Sequence, residues 1–309
     1  MLPARRQVLS PAPGDPPDAS TPTARRRAAV LGSPVAHSLS PALHRAAYTH
    51  LGLREWTYES HELVAGQLPD FLAGLDRSWA GLSLTMPLKE AALAAASSAS
   101  RLAAELGNAN TLTPTEGGWH ADNTDVEGVR RALLGAGTPV PASAVLVGSG
   151  ATARSAVAAL DALGVRELTF VVRSELRAAT AAQCRSRGLP ARVVRYAECA
   201  PVLAGAGLVV STVPAGAADP LAEALTTQPV DGSGRQPVVL DVVYAGWPTR
   251  LAVVCRDRGA LVVSGLELLV HQAVEQVRLM TGASVAPEVL RAAGLAALSG
   301  PPAAGGAAR

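Results

Sequence analysis

Lys89 is the only lysine among 309 residues; the other members of the 27-residue basic set are all arginine. An ammonium can be tuned to release a proton, whereas a guanidinium stays charged at any pH an enzyme meets. The surrounding string, GLSLTMPLKE, is an apolar run ended by Thr85 and Pro87, which predicts Lys89 in the first turn of a helix leaving a strand. Two further clusters put small polar groups at strand ends: Ser38 with Ser40, and Asn110 with Asn123 and Asp125. Singly each has an ordinary explanation, since Ser40 suits a helix N-cap, Asn110 a turn and Asp125 the start of the helix that follows. Together they offer the hydroxyl, amide, carboxylate and ammonium groups that a small polyhydroxylated acid requires. Lys89 and Asp125 are then a candidate proton-transfer pair.

A second chemistry is written after the run SAVLV. Gly148, Ser149, Gly150 and Ala151 follow it and lead into an alanine-rich helix. Gly148 permits a tight turn, and Gly150 lets the backbone approach a pyrophosphate at the helix N-terminus, as in a dinucleotide site. At the end of the next strand, ELTFVVR, stand Arg173, Ser174 and Arg177, with no acid at the strand end itself. Arginine there suits the 2′-phosphate of NADP, whereas NAD sites place a carboxylate; the alternative is a surface arginine pair capping a loop.

Positioning these groups requires strands that end in loops and feed helices. From Ala28 onward, short apolar runs alternate with segments of helical period, the pattern of parallel strands covered by helices. Strands are expected at AAVLG, WTYES, GLSLT, SAVLV, ELTFVVR, ARVVRY, GLVVST, PVVLDVV and ALVVSG, and helices at SPALHRAAYTHLGL, AGQLPDFLAGL and DVEGVRRALLGAG. Ser40 is the expected N-cap of the first helix, Pro41 its first residue and Gly52 its stop. The fold class is α/β in two domains: a substrate unit over 28–125, completed by returning helices over 266–298, and a doubly wound Rossmann-type unit over 126–265. Hinges are expected near 125–140 and at 264. Residues 1–27 read as a disordered extension and 299–309 as a loose tail.

Composition narrows the partners. A net charge of +2 with scattered arginines gives no basic stripe and argues against nucleic acid. No apolar run reaches the ~18 residues of a membrane span, and the proline-rich leader lacks a signal's apolar region, so a soluble, cytoplasmic protein is expected. Cys184, Cys199 and Cys255 are far apart, and the six histidines show no ligand spacing, so no metal site is expected.

With these strings in hand, the chain resembles the shikimate dehydrogenase family from Leu31 to about Met280. SPVAHSLSPALHRAAY is similar to the family's substrate-carboxylate segment, which implies Ser38 and Ser40 as ligands of the acid. SLTMPLKE implies Thr85 as a substrate ligand and Lys89 as the catalytic lysine; GNANTL and DNTDVEG imply Asn110 and Asp125, with Asp125 the partner of Lys89. LDVVYAGWPTRL and SGLELLVHQA imply Tyr244 near the site and Gln272 as a further substrate ligand. For the cofactor, the resemblance adds Thr212, Val213, Gly265 and Leu268 to the glycine turn and the arginines. The implied reaction is reversible hydride transfer between NADPH and 3-dehydroshikimate, giving shikimate on the way to chorismate, in a monomer or homodimer.

The chain departs from the pattern in several places. Ser83 stands where asparagine is usual, Ala151 where the nucleotide turn has a second glycine, and Val172 where asparagine precedes the NADP arginine. Gly246 replaces a common proline and Leu268 a methionine of similar volume. The competing readings are a quinate/shikimate dehydrogenase with broader substrate or NAD use, and a non-catalytic sensor of a pathway metabolite.

Overall fold

The computed structural model describes residues 25–230 and 236–299. The expected strands all form, in two six-stranded sheets. The first contains β1 (Arg26–Gly32), β2 (Trp56–Glu62), β3 (Trp79–Leu84), β4 (Ser98–Ala99), β5 (Thr111–Thr115) and β6 (Gly118–Asp122), in the order β2-β1-β3-β5-β6-β4. The second contains β7 (Ser143–Val147), β8 (Glu167–Val172), β9 (Ala191–Arg195), β10 (Leu208–Ser211), β11 (Val238–Asp241) and β12 (Leu261–Ser264), in the order β12-β11-β10-β7-β8-β9.

The second sheet is parallel throughout. Its central strands β7, β10 and β11 are near-continuous buried runs of valine and leucine, as expected where helices cover both faces, while the edge strand β9 is largely exposed. The chain enters at β7, winds outward through β8 and β9, and crosses back to β10. The strand order therefore reverses between β7 and β10, the crevice where doubly wound sheets bind ligands.

The first sheet departs from the expected all-parallel pattern. β1 pairs in parallel with β2 and β3, but β5 runs antiparallel to both β3 and β6. The string TLTPTEGGWHAD is too polar to read as strands, yet it forms a hairpin because Leu112 and Ala121 face each other and bury completely. A second difference lies at the start. Arg26 and Arg27, expected in the disordered extension, belong to β1. Their guanidinium groups lie over the rings of Trp56 and Trp79, at 5.9 and 4.4 Å, and Arg27 pairs with Glu59. Residues 1–24 and 300–309 of the expected extension and tail lie outside the described residues.

The helices are α1 (Ser40–His50), α2 (Leu68–Ala73), α3 (Lys89–Ala95), α4 (Arg101–Leu106), α5 (Asp125–Gly135), α6 (Ala151–Ala162), α7 (Ala178–Ser186), α8 (Ala200–Ala204), α9 (Asp219–Thr226), α10 (Arg250–Asp257), α11 (Gly265–Thr281) and α12 (Pro287–Ser299). Ser40 is not the cap of α1. Leu39 holds that position and Ser40 is the first helical residue, its N–H donating to Ser38 Oγ at 3.3 Å. The returning helices pack on the first half: Leu39, Leu43 and Ala47 share one core with Val270, Ala273, Val277 and Leu290. α5 and α11 cross closely at Gly128, where a β-carbon would stand 2.7 Å from the Leu268 carbonyl oxygen and 3.2 Å from Gln272 Cβ. Among the described residues no helix is long and apolar enough to cross a membrane, and no cluster of three or more His, Cys, Asp or Glu is placed to hold a metal.

Candidate active site

Lys89 opens α3 directly beyond β3, and Asp125 opens α5 directly beyond β6. The hairpin that sequence reading missed joins them. Leu84 N–H donates to the Asn110 carbonyl, Ala109 N–H to the Lys89 carbonyl and Asn110 N–H to the Asp122 carbonyl, at 2.8, 2.8 and 3.0 Å. Lys89 Nζ thereby reaches Asp125 Oδ2 at 2.5 Å, with the two side chains 13% and 5% exposed. The other carboxylate oxygen accepts from Asn110 Nδ2 at 2.8 Å. Asp125 thus has one oxygen committed to an ammonium and one to an amide, which fixes its plane.

Asn110 is the hub. Its Oδ1 accepts from the Thr124 N–H and from Thr111 Oγ1, both at 2.8 Å, so the amide nitrogen must face the other way. That nitrogen has three acceptors within reach: Asp125 Oδ1, Thr124 Oγ1 and Gln272 Oε1, at 2.8, 3.0 and 3.0 Å. Two hydrogens cannot serve three acceptors fully, so the cluster holds acceptor capacity for an incoming hydroxyl. Gln272 comes from α11, which explains why a residue so distant in sequence belongs here.

The serine pair lies where β1 gives way to α1, with Ser40 buried and Ser38 partly so. Tyr244 is held beside it. Burial pushes its phenol above the usual range, and hydrogen bonding from Ser38 and the Leu39 backbone pulls against the shift. Its loop is anchored by Asp241, which accepts from Thr249 Oγ1 at 2.7 Å and from the Val243 N–H at 3.3 Å; burial raises the Asp241 carboxyl. Thr85 follows β3 and is half-buried, its N–H bound to the Leu31 carbonyl at 2.9 Å.

The glycine turn sits at the strand-order reversal. Gly148 has φ +101°, and a β-carbon there would stand 2.8 Å from Thr212 Oγ1 and 3.0 Å from Val213 Cγ1, so only glycine lets β7 and β10 end side by side. In front of Gly150 a β-carbon would meet nothing within 4 Å, which leaves the N-terminus of α6 open beyond Ser149 and Ala151. Arg173, Ser174 and Arg177 are exposed just past β8. An open helix N-terminus and two exposed guanidinium groups fit a dinucleotide phosphate chain. Gly265 lies so close to the Val242 backbone that no side chain fits, and Leu268 packs into the second unit's core beside Val129 and Val263.

Three contacts that sequence reading missed tie α6 to the segments that carry Lys89 and Asp125. Lys89 Nζ approaches Thr152 Oγ1 at 3.4 Å, the buried Arg154 donates to Glu90 Oε1 at 2.6 Å, and Ser155 Oγ bonds Asn123 Oδ1 at 3.4 Å. The signal was present in part: Arg154 is a charge inside an alanine-rich, otherwise buried helix, and such a charge needs a partner.

A parallel sheet with a glycine turn at its reversal, set against a mixed sheet carrying a buried Lys–Asp pair, defines a two-domain dinucleotide-dependent oxidoreductase. The profile of the shikimate dehydrogenase substrate binding domain matches residues 30–112, and that of the shikimate 5′-dehydrogenase C-terminal domain matches 265–293. The NADP(+) shikimate dehydrogenase of one Thermus thermophilus strain is 35% identical over 256 residues, covering 83% of this chain and 92% of that protein. That of Symbiobacterium thermophilum is 34% identical over 280 residues, covering 88% and 95%. Among solved structures, Mycobacterium tuberculosis shikimate dehydrogenase superposes with a TM-score of 0.77 at 41% identity, over 88% of this chain and 99% of that one. The enzyme of a second Thermus thermophilus strain, in complex with NADP(H) and shikimate, gives 0.74 at 33% identity, over 88% and 100%. The chain belongs to the shikimate dehydrogenase family, the NADP-dependent enzymes of the shikimate pathway.

Proposed function

We propose that the chain catalyses the reversible, NADP-dependent reduction of 3-dehydroshikimate to shikimate, with Lys89 and Asp125 as its proton-transfer pair. One observation carries the assignment of roles: Lys89, paired with the buried Asp125, also approaches Thr152, at the head of the helix that follows the glycine turn. That contact supports a proton donor set between the polar cluster of the first sheet and the glycine turn of the second. Residues 28–125 with 266–298 form the substrate half in this reading, and 126–265 the cofactor half. Ser38 and Ser40 take the substrate carboxylate, with Tyr244 beside them; Thr85, Asn110, Asp125 and Gln272 take ring hydroxyls.

Gly148, Ser149, Gly150 and Ala151 hold the pyrophosphate, and Arg173, Ser174 and Arg177 the 2′-phosphate. Thr212, Val213, Gly265 and Leu268 border the nicotinamide. Bound NADPH supplies the hydride. As negative charge gathers on the ring oxygen, Lys89 stabilises it and gives up its proton, while Asp125 keeps the ammonium aimed. We place the protein in the cytoplasm, as a monomer or homodimer.

The test is the initial rate of nicotinamide reduction with shikimate and quinate, each paired with NADP and NAD. Turnover largely confined to shikimate with NADP is the expected result. Substantial quinate or NAD turnover would assign the broader dehydrogenase, and silence in all four would overturn catalysis.

A further inference from the structure

Beneath the proposed substrate ligands runs a ladder whose buried middle rung, Ser83 with Gln276, carries no assigned role. On β3, Gly81 and Ser83 fall on one face because side chains alternate along a strand, and Thr85 continues the spacing just past its end. Opposite them on α11, Met280, Gln276 and Gln272 succeed one another at four-residue steps. Two strand residues advance ~6.7 Å and four helical residues ~6 Å, so the rungs stay nearly level. Gly81 meets Met280, its β-carbon position lying 2.5 Å from Met280 Cγ. Ser83 Oγ donates to Gln276 Oε1 at 2.8 Å. One step further along lie Thr85, just past the end of β3, and Gln272 on α11, both proposed to bind substrate.

The middle rung is fixed in direction. Gln276 Nε2 donates to the Asn110 carbonyl and to Thr111 Oγ1, both at 3.1 Å. A carbonyl can only accept, so Gln276 Oε1 must face Ser83, and Ser83 must donate. Its remaining acceptor site takes the proton of Tyr58, whose hydroxyl lies 2.7 Å away. Gln272 Nε2 donates to the same Gln276 oxygen at 3.4 Å, which turns Gln272 Oε1 toward Asn110. Tyr58, Ser83 and Gln276 are each no more than 3% exposed and so touch no substrate themselves. Burying these groups in the middle of an apolar strand and helix is unfavourable unless they are bonded, and here they are.

We infer that Tyr58 and Ser83 are positioning residues: through Gln276 they set the register of α11 on β3 and the orientation of the Gln272 amide, and so the grip on substrate hydroxyls. The inference rests on the proposed roles of Thr85 and Gln272. It is tested by steady-state kinetics of Ser83→Ala and Tyr58→Phe, alongside Gln272→Ala. Loss of one buried hydrogen bond in each positioning variant should raise KM for shikimate about fivefold to tenfold. KM for NADP and kcat should stay within about twofold. The double variant should be no worse than Ser83→Ala, since both act through one rung. Ser83→Cys, similar in volume with a weak donor, should fall between. An unchanged shikimate KM in both positioning variants, with a raised one in Gln272→Ala, would overturn the inference and leave the proposed function standing. An unchanged KM in Gln272→Ala would instead remove the substrate role on which it rests. Equal losses in both KM values and kcat with a lowered melting temperature would make the ladder merely structural and also overturn it.

Discussion

The two sheets solve opposite problems. In the second, the strands are apolar and the chemistry is left to loop ends: the glycine turn lies open, and Arg173 and Arg177 reach into solvent. In the first, the chemistry is inside. Asn110, Thr111, Asn123, Thr124, Asp125, Gln272 and Gln276 are buried and bonded to one another. A cofactor with a long phosphate chain can be met by exposed cations and backbone N–H groups, which need little prior arrangement. A small ring bearing several hydroxyls must be met by donors and acceptors already facing the right way, and that order is held by a second layer of polar side chains. On the proposed assignment, the polar side chains of the first sheet are therefore the more prearranged of the two sets.

Lys89→Ala tests this contrast with the largest effect. It should lower kcat ~100-fold to 10,000-fold while NADPH binding, followed by fluorescence titration, stays within a few-fold. Lys89→Arg should fail as well, because a guanidinium does not release its proton; near-normal turnover in that variant would remove the proton-transfer role.

The buried network should also leave a mark on stability. Burial pulls His44 down to about 4, only partly opposed by its bond to Gln276. The folded state then resists protonation that the unfolded chain accepts near pH 6.5. Stability from this group is complete above pH 6.5 and is lost as pH falls toward 4, at most about 3 kcal/mol. Denaturant titrations of wild type and His44→Gln across that window should show a shallower pH slope in the variant; equal slopes would refute it.

A smaller effect is expected on the cofactor side. Arg173→Ala should raise KM for NADPH roughly tenfold to thirtyfold, the value of a charge-assisted bond, and leave KM for NADH nearly unchanged. Equal changes for both cofactors would move Arg173 away from the 2′-phosphate.

Much of this organisation was legible in the sequence because it rests on local rules. The parallel strands of the second sheet announce themselves as valine runs, and the glycine turn by the strand and helix that flank it. Lys89 stood out by type alone. What escaped was non-local or locally ambiguous. The hairpin over 111–122 is polar on its outer face and contains Pro114, so its period is masked until Leu112 and Ala121 are seen paired. Ser40 reads as a cap by type, but Pro41 suits either of the first two helical positions, and the chain enters the helix one residue earlier. Ser83 and Gln276 are 193 residues apart, and only the crossing of α11 over β3 makes them neighbours.

The three bonds that α6 makes with the segments of Lys89 and Asp125 bear on how the site is held. Thr152, Arg154 and Ser155 bond the head of α6 to Lys89, Glu90 and Asn123, so the helix that follows the glycine turn shares side-chain contacts with both segments that carry the Lys89–Asp125 pair. A substitution at the head of α6 therefore reaches the Lys89–Asp125 pair directly through Thr152.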